Sequence, residues 1–240
     1  VWQPAATAGF GACYGQTPPP PPNTIAFTGR TASDPALPVG FEDQLFATMR
    51  DPQGNVLTTT FTWTSETPAI ASVDANGVVR ALSVGTFTVR ATAADGTTAT
   101  YSLGTQVATA GGTAQYGNNV EFGLPLDGDA SDDLLVSRAE YISSFNPARG
   151  IPNWVSYDLD ATHIGAQDRC DCFTFDPTLP SPVAPYTTAD YTGAGTFAGY
   201  GIDRGHLARS FDRSTGLLDN ASTFYFSNII PQAADNNQGP

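Results

Sequence analysis

The sequence predicts a chain of two folded parts, an all-β sandwich followed by an α+β domain. Residues 23–105 contain short alternating segments separated by turn residues, which is typical of a sandwich. Residues 106–133 are rich in Gly, Ala and Asp and are interpreted as a linker. From residue 134 to residue 240, strand-like segments, a long irregular loop and a helix start together indicate an α+β domain.

The N-terminal residues 1–22 end in a proline run, Pro18–Pro22. Because proline fixes φ and lacks a backbone donor, such a run favours extended polyproline II structure and predicts a stiff spacer. The chain begins at Val1 rather than Met, which suits a processed or trimmed N-terminus.

Alternation of apolar and polar residues marks candidate strands in the first domain. It is present in Ile25–Phe27, Phe61–Thr64 and Thr86–Ala91. Turn residues at Asp74–Gly77 and Asp95–Gly96 separate such segments, as between the strands of a sandwich.

The first domain resembles a known family through a series of motifs. These are Trp63–Ser65, Pro68–Asp74, Gly77–Ala81 and Gly85–Thr86. They are similar to the bacterial immunoglobulin-like group 2 domain over most of residues 23–105. The resemblance implies an immunoglobulin-like sandwich with Trp63 in its core, on a bacterial surface or secreted protein. It also implies a spacer or adhesion role, with another protein as a candidate partner.

Residues 127–133 of the predicted linker are dense in carboxylates. This stretch could bind calcium, but it lacks the ligand spacing of an EF-hand loop. A solvated acidic connector is the simpler interpretation, and Ser131 or Asp132 could also cap a short following segment.

The second domain contains segments with clear patterns and one long segment without any. Leu134–Val136 and Trp154–Leu159 are predicted strands, and Phe224–Asn228 alternates in the manner of a central strand. Residues 176–200 are rich in Pro, Thr, Gly and Tyr, which predicts a long irregular loop. Residues 232–240 are predicted to start a helix.

Charge limits the ways in which this chain could bind nucleic acid. The formal net charge is −13, and the ten basic residues are all Arg. A protein that binds nucleic acid through a broad basic face normally carries the opposite charge. A nuclease site in this chain would therefore depend on a local Arg cluster and a bound cation.

The three cysteines allow few cross-links. Cys170 and Cys172 are separated by one residue, which we expect to be too close for an unstrained bridge in an extended strand. Cys13 could then pair with either of them or with another chain. The sequence has no C-x-x-C pair, which argues against a zinc site, and no apolar run long enough to predict a membrane-spanning helix.

Side chains near the C-terminus suit cleavage of a phosphodiester. His206 can take a proton near neutral pH, and the glycine before it leaves room for a substrate to approach. Arg204 can bind a phosphate through two parallel hydrogen bonds. Asn237 can offer a carbonyl oxygen to a hard cation. A base, a phosphate clamp and a metal ligand together indicate phosphodiester hydrolysis.

These residues also resemble a second family. Asp203–His206 reads DRGH, a signature of the DNA/RNA non-specific endonucleases, which are ββα-metal nucleases. Further motifs follow the order of that family, at Pro152–Tyr157, Arg169–Phe173, Asp176–Pro180, Ser227–Gln232 and Asp235–Asn237. The resemblance covers residues 134–240 and implies a ββα-metal nuclease-like domain of the α+β class.

The resemblance implies a role for each matching residue. His206 becomes the general base, Arg169 and Arg204 bind the phosphate, and Asn237 holds one Mg²⁺, for which Mn²⁺ is a candidate substitute. The residues implied to support the ligand and the base are Asp203, Asn228 and Gln232. Because no base-reading residue is implied, the expected substrate is the backbone of DNA and RNA alike.

The chain departs from the endonuclease family at its C-terminal end. The family carries an acidic residue further along the helix that holds the ligand Asn, whereas this sequence stops at Pro240. The nuclease-like domain is therefore expected to be C-terminally incomplete in this chain. A metal ligand on a helix that has barely begun would be poorly held, which puts the activity of this chain alone in question.

Different functional interpretations follow from these observations. In the first, the protein is a secreted, periplasmic or cell-surface Mg²⁺-dependent endonuclease with an immunoglobulin-like module. In the second, it is a catalytically inactive nuclease-like subunit of an extracellular or periplasmic assembly, as the acidic charge and the lack of Lys favour. A pure adhesion protein would explain residues 23–105 but not the second half.

Overall fold

A computed structural model describes residues 21–28, 36–106 and 116–239 of the chain. The predicted proline spacer up to Pro20, Cys13 and residues 107–115 of the predicted linker lie outside the described residues. Within the described part, none of the helices has the length and apolar character needed to cross a membrane.

The first domain is built from strands in three sheets among the described residues. The strands are β1 (Thr24–Thr28), β2 (Leu37–Pro38), β3 (Glu42–Gln44), β4 (Phe46–Arg50), β5 (Val56–Leu57), β6 (Phe61–Ser65), β7 (Ala71–Val73), β8 (Val78–Ala81), β9 (Gly85–Ala93) and β10 (Thr98–Gln106). The sheet orders are β1-β4-β5, β2-β10-β9-β6 and β3-β8-β7. The predicted all-β class of this domain is confirmed.

Alternate residues of the long strand β9 fill the core of the sandwich. Phe87, Val89 and Ala91 are all buried, as the period of two in their sequence predicts. Trp63 is partly buried and packs against this core, which confirms its predicted role. An added Cβ at Gly77, where φ is +84°, would lie 2.8 Å from the Trp63 ring, so the indole occupies the space that glycine leaves.

The second domain has two small sheets and short helices among the described residues. Its strands are β11 (Leu134–Ser137), β12 (Ile142–Asn146), β13 (Ile151–Ser156), β14 (Ile202–His206) and β15 (Ile229–Ala233). Its α-helices are α1 (Thr188–Tyr191), α2 (Ala194–Ala198), α3 (Leu217–Ser222) and α4 (Ala234–Asn237). Its 3₁₀ helices are Ala161–His163, Phe211–Arg213 and Phe226–Asn228. β11-β12-β13 and β14-β15 pair antiparallel, and α4 begins directly after β15.

Several predictions for this domain are confirmed. The predicted strand at Leu134–Val136 is β11, and the predicted helix start after residue 232 is α4. The predicted strand Trp154–Leu159 overlaps β13, which ends at Ser156. The predicted loop 176–200 contains regular structure only in the short helices α1 and α2.

The predicted strand Phe224–Asn228 is wrong. Phe226–Asn228 forms a 3₁₀ helix, and the strand β15 begins one residue later. Every residue of the segment except Tyr225 is buried, so the segment does not alternate between a core and solvent. The side-chain amide of Asn228 donates to the carbonyl of Thr223 at 2.8 Å, which closes the segment into a turn.

The cysteine prediction is also wrong, since Cys170 and Cys172 form a disulfide. The prediction assumed an extended chain, whereas Asp171 between them has a φ of +50°, in the left-handed region. The turn brings the two Cα atoms within 5.2 Å of each other, a distance that a disulfide can span. Both cysteines are fully buried.

The second domain makes contacts with residues well before residue 134. The ring of Tyr116 lies 5.0 Å from that of His163, and Asn119 donates to the carbonyl of Ala139 at 2.8 Å. The Ser156 hydroxyl donates to the carbonyl of Asn119 at 2.5 Å. Packing therefore begins earlier than the predicted boundary between linker and nuclease-like domain.

The two domains are in direct contact. The ring of Phe41, on the sandwich, lies 5.2 Å from the ring of Tyr225, on the second domain. Buried apolar residues of both domains belong to one continuous cluster. This packing brings strands β3 and β4 of the sandwich beside the second domain, where Glu42 and Phe46 border clefts shared with it.

Candidate active site

The antiparallel pair β14–β15 and the following helix α4 carry most of the predicted site residues. β14 ends at His206, and side chains alternate along a strand, so Arg204 and His206 share one face. α4 begins where β15 ends and carries Asn237 in its single turn. The chain therefore presents these residues on a strand–strand–helix unit.

His206 lies against two aromatic rings. Its ring centroid is 4.6 Å from that of Phe224 and 5.5 Å from that of Phe173, both in edge-on arrangements. Burial, helped by the nearby charges of Arg169 and Arg204, lowers the pKa of His206 to about 3. At neutral pH the imidazole is therefore uncharged. Its Nε2 atom is buried and has no hydrogen-bond partner among the described residues.

Arg204 is held by an aromatic ring and a hydroxyl. Its guanidinium carbon lies 3.9 Å from the centroid of the Phe173 ring, and Nη1 donates to Oγ1 of Thr188 at 3.3 Å. Burial lowers the pKa of this guanidinium, while the carboxylates of Asp43 and Asp171 oppose the shift. Because arginine keeps its charge in proteins, Arg204 is a positioned cation on the same face as the histidine.

Arg169 is anchored by a carboxylate and a hydroxyl. Its Nε donates to Asp171 at 2.6 Å, and its Nη1 donates to Oγ of Ser210 at 2.9 Å. The guanidinium carbon lies 4.8 Å from the centroid of the Phe224 ring. The side chain is still 47% exposed, so a ligand can reach its charge.

Asn237 is oriented by Asp203. Its Nδ2 donates to Oδ2 of Asp203 at 3.0 Å, and Nε2 of Gln238 donates to the same oxygen at 3.0 Å. Because the amide nitrogen is used in this bond, the amide oxygen is the atom that Asn237 can offer to a cation.

The glycine of the DRGH motif makes room for protein, not for substrate as predicted. An added Cβ at Gly205 would lie 2.6 Å from Cβ of Gln232 and would also overlap its amide oxygen. Gln232 therefore fills the space beside Gly205 and packs the two strands together.

Asn228 is fully buried beneath the strand pair. Its side-chain oxygen accepts from the backbone nitrogen of Ala208 at 2.8 Å, and its nitrogen donates to the carbonyls of Ala208 and Thr223. Both polar atoms of the amide are engaged, so Asn228 holds the chain that leaves His206 and offers no free atom to a cation.

Two clefts bring the remaining predicted residues together. One, of about 370 Å³, is lined by Arg169, Arg204, Asp203 and Asn237 among others. The other, of about 450 Å³, is lined by His206, Arg169 and Asn237 among others. Because Arg169 and Asn237 border both, we treat the two clefts as one recess, the catalytic recess.

The structure adds residues that sequence reasoning did not single out. Ser210 and Thr188 hold the two arginines, and Arg209 lines the recess beside His206. Phe173 contacts both Arg204 and His206. Phe173 belongs to the motif Arg169–Phe173, and Arg209 follows Asp203–His206 closely, so the motifs pointed to both residues. No motif pointed to Ser210 or Thr188, because loop packing alone determines their contacts.

The amide oxygen of Asn237 is the group in the recess that could bind a divalent cation. Among the described residues, the groups of acidic, His or Cys side chains that could hold an ion together are Asp158, Asp160 and His163, and Asp127, Asp132 and Asp133. Neither group includes His206 or Asp203. A cation at Asn237 would therefore keep most of its water ligands, as Mg²⁺ does readily.

Comparison with known proteins identifies families that match the two parts of the sequence. The profile of the DNA/RNA non-specific endonuclease family matches residues 117–240, and that of the bacterial Ig-like domain (group 2) matches residues 31–103. The chain is 38% identical over 107 residues to a nuclease of Nostoc sp., an alignment covering 45% of this chain and 37% of the relative.

More distant relatives give a similar picture. A nuclease of Serratia marcescens is 34% identical over 122 residues, covering 51% of this chain and 43% of the relative. The human mitochondrial nuclease EXOG is 32% identical over 130 residues, covering 53% of this chain and 32% of the relative. The chain thus spans less than half the length of these relatives.

The endonuclease profile covers just over half of the chain. It includes every residue of the catalytic recess described above that comes from the second domain. The chain therefore belongs to the DNA/RNA non-specific endonuclease family, and it carries a bacterial immunoglobulin-like domain ahead of the nuclease domain.

Proposed function

We propose that the protein is a metal-dependent endonuclease that hydrolyses phosphodiester bonds of DNA and RNA without regard to sequence. The observation that carries this proposal is an uncharged imidazole, His206, in one recess with Arg169, Arg204 and the amide of Asn237. Attack of water on a phosphodiester needs such a base and such cations. Relatives named as nucleases support a nucleic-acid substrate.

His206 would accept the proton of the attacking water through its imidazole, which is uncharged at neutral pH. As the water oxygen bonds to phosphorus, the bond to the leaving oxygen breaks, and that oxygen takes a proton from solvent. Negative charge on the phosphate oxygens is stabilised by Arg169 and Arg204. Both arginines bind backbone oxygens rather than base edges, so the reaction would not depend on sequence.

Asn237 would hold the cation through its amide oxygen, and Asp203 would keep that amide oriented. When bound, Mg²⁺ supplies positive charge to the phosphate and the leaving oxygen, and Mn²⁺ is a candidate substitute. Gln232 and Asn228 would act indirectly, by holding the strands that carry Gly205 and His206.

We place the proposed enzyme outside the bacterial cytoplasm, as a secreted, periplasmic or cell-surface protein. The disulfide Cys170–Cys172 supports an oxidising compartment. The immunoglobulin-like domain supports the same placement and is the proposed contact for any protein partner.

The test is cleavage of plasmid DNA and of RNA by the purified protein, with Mg²⁺ and with EDTA. We expect metal-dependent degradation of both substrates. His206→Ala should lower the rate by about a hundredfold or more, since a general base contributes at least that much. Mn²⁺ should restore activity after EDTA treatment if it substitutes for Mg²⁺.

A pair of arginine variants provides a matched control. Arg169→Ala should lose activity, whereas Arg149→Ala changes an exposed arginine that does not line the catalytic recess and should leave the rate unchanged. Equal activity of the His206→Ala variant and the unmodified protein would rule out the proposed role of this histidine.

The net charge of −13 favours a second candidate, a catalytically inactive nuclease-like subunit of an extracellular or periplasmic assembly. An acidic surface repels nucleic acid unless local cations outweigh it. A folded protein that neither cleaves nor binds DNA or RNA in the presence of Mg²⁺ would support this candidate and exclude the endonuclease.

A further inference from the structure

We propose that Phe46, on the immunoglobulin-like domain, stacks on a nucleobase of the bound strand, so that the catalytic recess prefers single-stranded nucleic acid. The inference rests on the proposed function, because it assigns a further contact to the same substrate. It also extends that function, because Phe46 lies outside residues 117–240, the part of the chain matched by the endonuclease family.

Phe46 is not used in the core of its own domain. It begins β4 directly after Leu45, which is 1% exposed, whereas Phe46 is 42% exposed. Single exposed apolar residues are common, so exposure alone carries no argument. The informative fact is that Phe46 lines the cleft of about 370 Å³ that Arg169 and Arg204 also line.

Packing between the domains holds Phe46 at the cleft that the arginines line. Phe41 lies against Tyr225 of the second domain at 5.2 Å between ring centroids. Burial lowers the pKa of Arg204, and the carboxylate of Asp43, on β3, opposes that shift, so β3 lies near the same guanidinium. The segment from Phe41 to Phe46 therefore borders the second domain, and Phe46 forms a wall of the cleft supplied by the neighbouring domain.

The other aromatic rings of the cleft already have partners. Phe173 is covered by the guanidinium of Arg204 at 3.9 Å, and Tyr191 is stacked on Phe226 with 6.3 Å between ring centroids. Among the residues described as lining this cleft, Phe46 is thus the aromatic side chain best placed to receive a flat apolar group.

The chemistry of the two walls matches that of a nucleotide. Arg169 and Arg204 offer charge to a phosphate, and Phe46 offers a π face on which any base can stack. In a duplex both faces of each base are covered by neighbouring bases, whereas a single strand can turn a base outward at low cost. A stacking residue in the cleft therefore favours single-stranded DNA or RNA without reading its sequence.

The test is binding of fluorescein-labelled oligothymidylate, measured by fluorescence anisotropy in EDTA at low salt so that no cleavage occurs. A second ligand is an oligonucleotide of equal length built from abasic sites, which keeps the phosphates but removes the bases. We expect Phe46→Ala to weaken oligothymidylate binding about tenfold, as loss of one stacked base should, and to leave abasic binding unchanged. Phe46→Trp should retain binding.

Matched variants separate stacking from other effects. Val56→Ala changes an exposed apolar residue on the same sheet, 60% exposed and away from the cleft, and should bind both ligands like the unmodified protein. Arg169→Ala should weaken both ligands, because it removes a phosphate contact. Equal weakening of both ligands by Phe46→Ala, or no weakening of either, would overturn the stacking proposal.

Rates of cleavage of single-stranded and duplex DNA test the stacking proposal and the endonuclease proposal separately. If the protein cuts single-stranded DNA faster than duplex and Phe46→Ala lowers that ratio about tenfold, both stand. If the protein cleaves but neither the ratio nor binding depends on Phe46, the inference falls and the endonuclease remains. If the protein does not cleave but binds oligothymidylate in a Phe46-dependent manner, hydrolysis falls and the stacking contact stands.

Discussion

The low pKa of His206 couples the protonation of one side chain to the stability of the fold. In the folded protein burial keeps the pKa near 3, whereas an unfolded histidine titrates near its ordinary value of 6.5. Well above pH 6.5 the imidazole is uncharged in both states and contributes no pH dependence. As the pH falls below that value, the unfolded chain binds a proton that the folded chain does not, so stability is lost.

We therefore expect His206→Gln to flatten the acid side of the stability profile. Between pH 6 and pH 4, the free energy of unfolding of the unmodified protein should fall by about 1.4 kcal/mol per pH unit more than that of the variant. Urea denaturation in EDTA at a series of pH values measures the difference, in which the contributions of the shared carboxylates cancel. Parallel profiles would mean that His206 titrates normally in the folded protein.

The packing of β14 against β15 requires a glycine at position 205, because Gln232 of β15 occupies the space beside it. Because an added methyl group at Gly205 would meet Cβ of Gln232 at 2.6 Å, Gly205→Ala should push the strands apart. We expect a loss of about 1–3 kcal/mol in the free energy of unfolding, the usual cost of overpacking. Cleavage should also fall, since β14 carries Arg204 and His206.

Gly104→Ala is the control for this effect of backbone packing. Gly104 also lies inside a strand, β10, but its added Cβ would make only an ordinary contact of 3.6 Å with Ala36. That variant should change the free energy of unfolding far less than Gly205→Ala. If thermal and urea denaturation show equal losses for both, the contact with Gln232 is not what requires glycine.

Contact between the two domains is expected to couple their unfolding. Phe41 and Tyr225 join apolar clusters of both domains, so we expect one cooperative unfolding transition in the unmodified protein. Tyr225→Ala should remove this link and let the domains unfold separately. Hydrogen exchange of peptides from β9 and β15 in increasing urea measures the two midpoints.

Tyr200→Ala is a matched control, because Tyr200 is 59% exposed on the second domain. It should leave a single transition. Separate midpoints already in the unmodified protein would show that the interface contributes little to stability, and would also weaken the case for a fixed Phe46 wall.

Predictions from sequence succeeded where the signal is local. Alternation within β9 and the helix start at α4 needed no information about distant residues. Arg204 and His206 are two residues apart on one strand, so their shared face follows from strand geometry alone. The Cys170–Cys172 prediction failed although it was local, because it assumed an extended chain where Asp171 makes a left-handed turn.

The remaining features depend on segments that meet only after folding. Alternation in Phe224–Asn228 suggested a strand, but burial on all sides and the Asn228–Thr223 bond produce a turn. Nothing in the sequence around Thr188 or Ser210 indicates that these hydroxyls hold arginines.

Residue types, strand periods and the DRGH motif are properties of the chain itself, and they single out His206, Arg169, Arg204 and Asn237 as candidate site residues. The low pKa of His206 and the position of Phe46 are properties of packing. Burial against Phe224 and Phe173 desolvates the imidazole, and docking of the sandwich on Tyr225 brings Phe46 to the cleft that both arginines line. Desolvation and contact between domains exist only when distant segments come together, so neither can be inferred from local sequence.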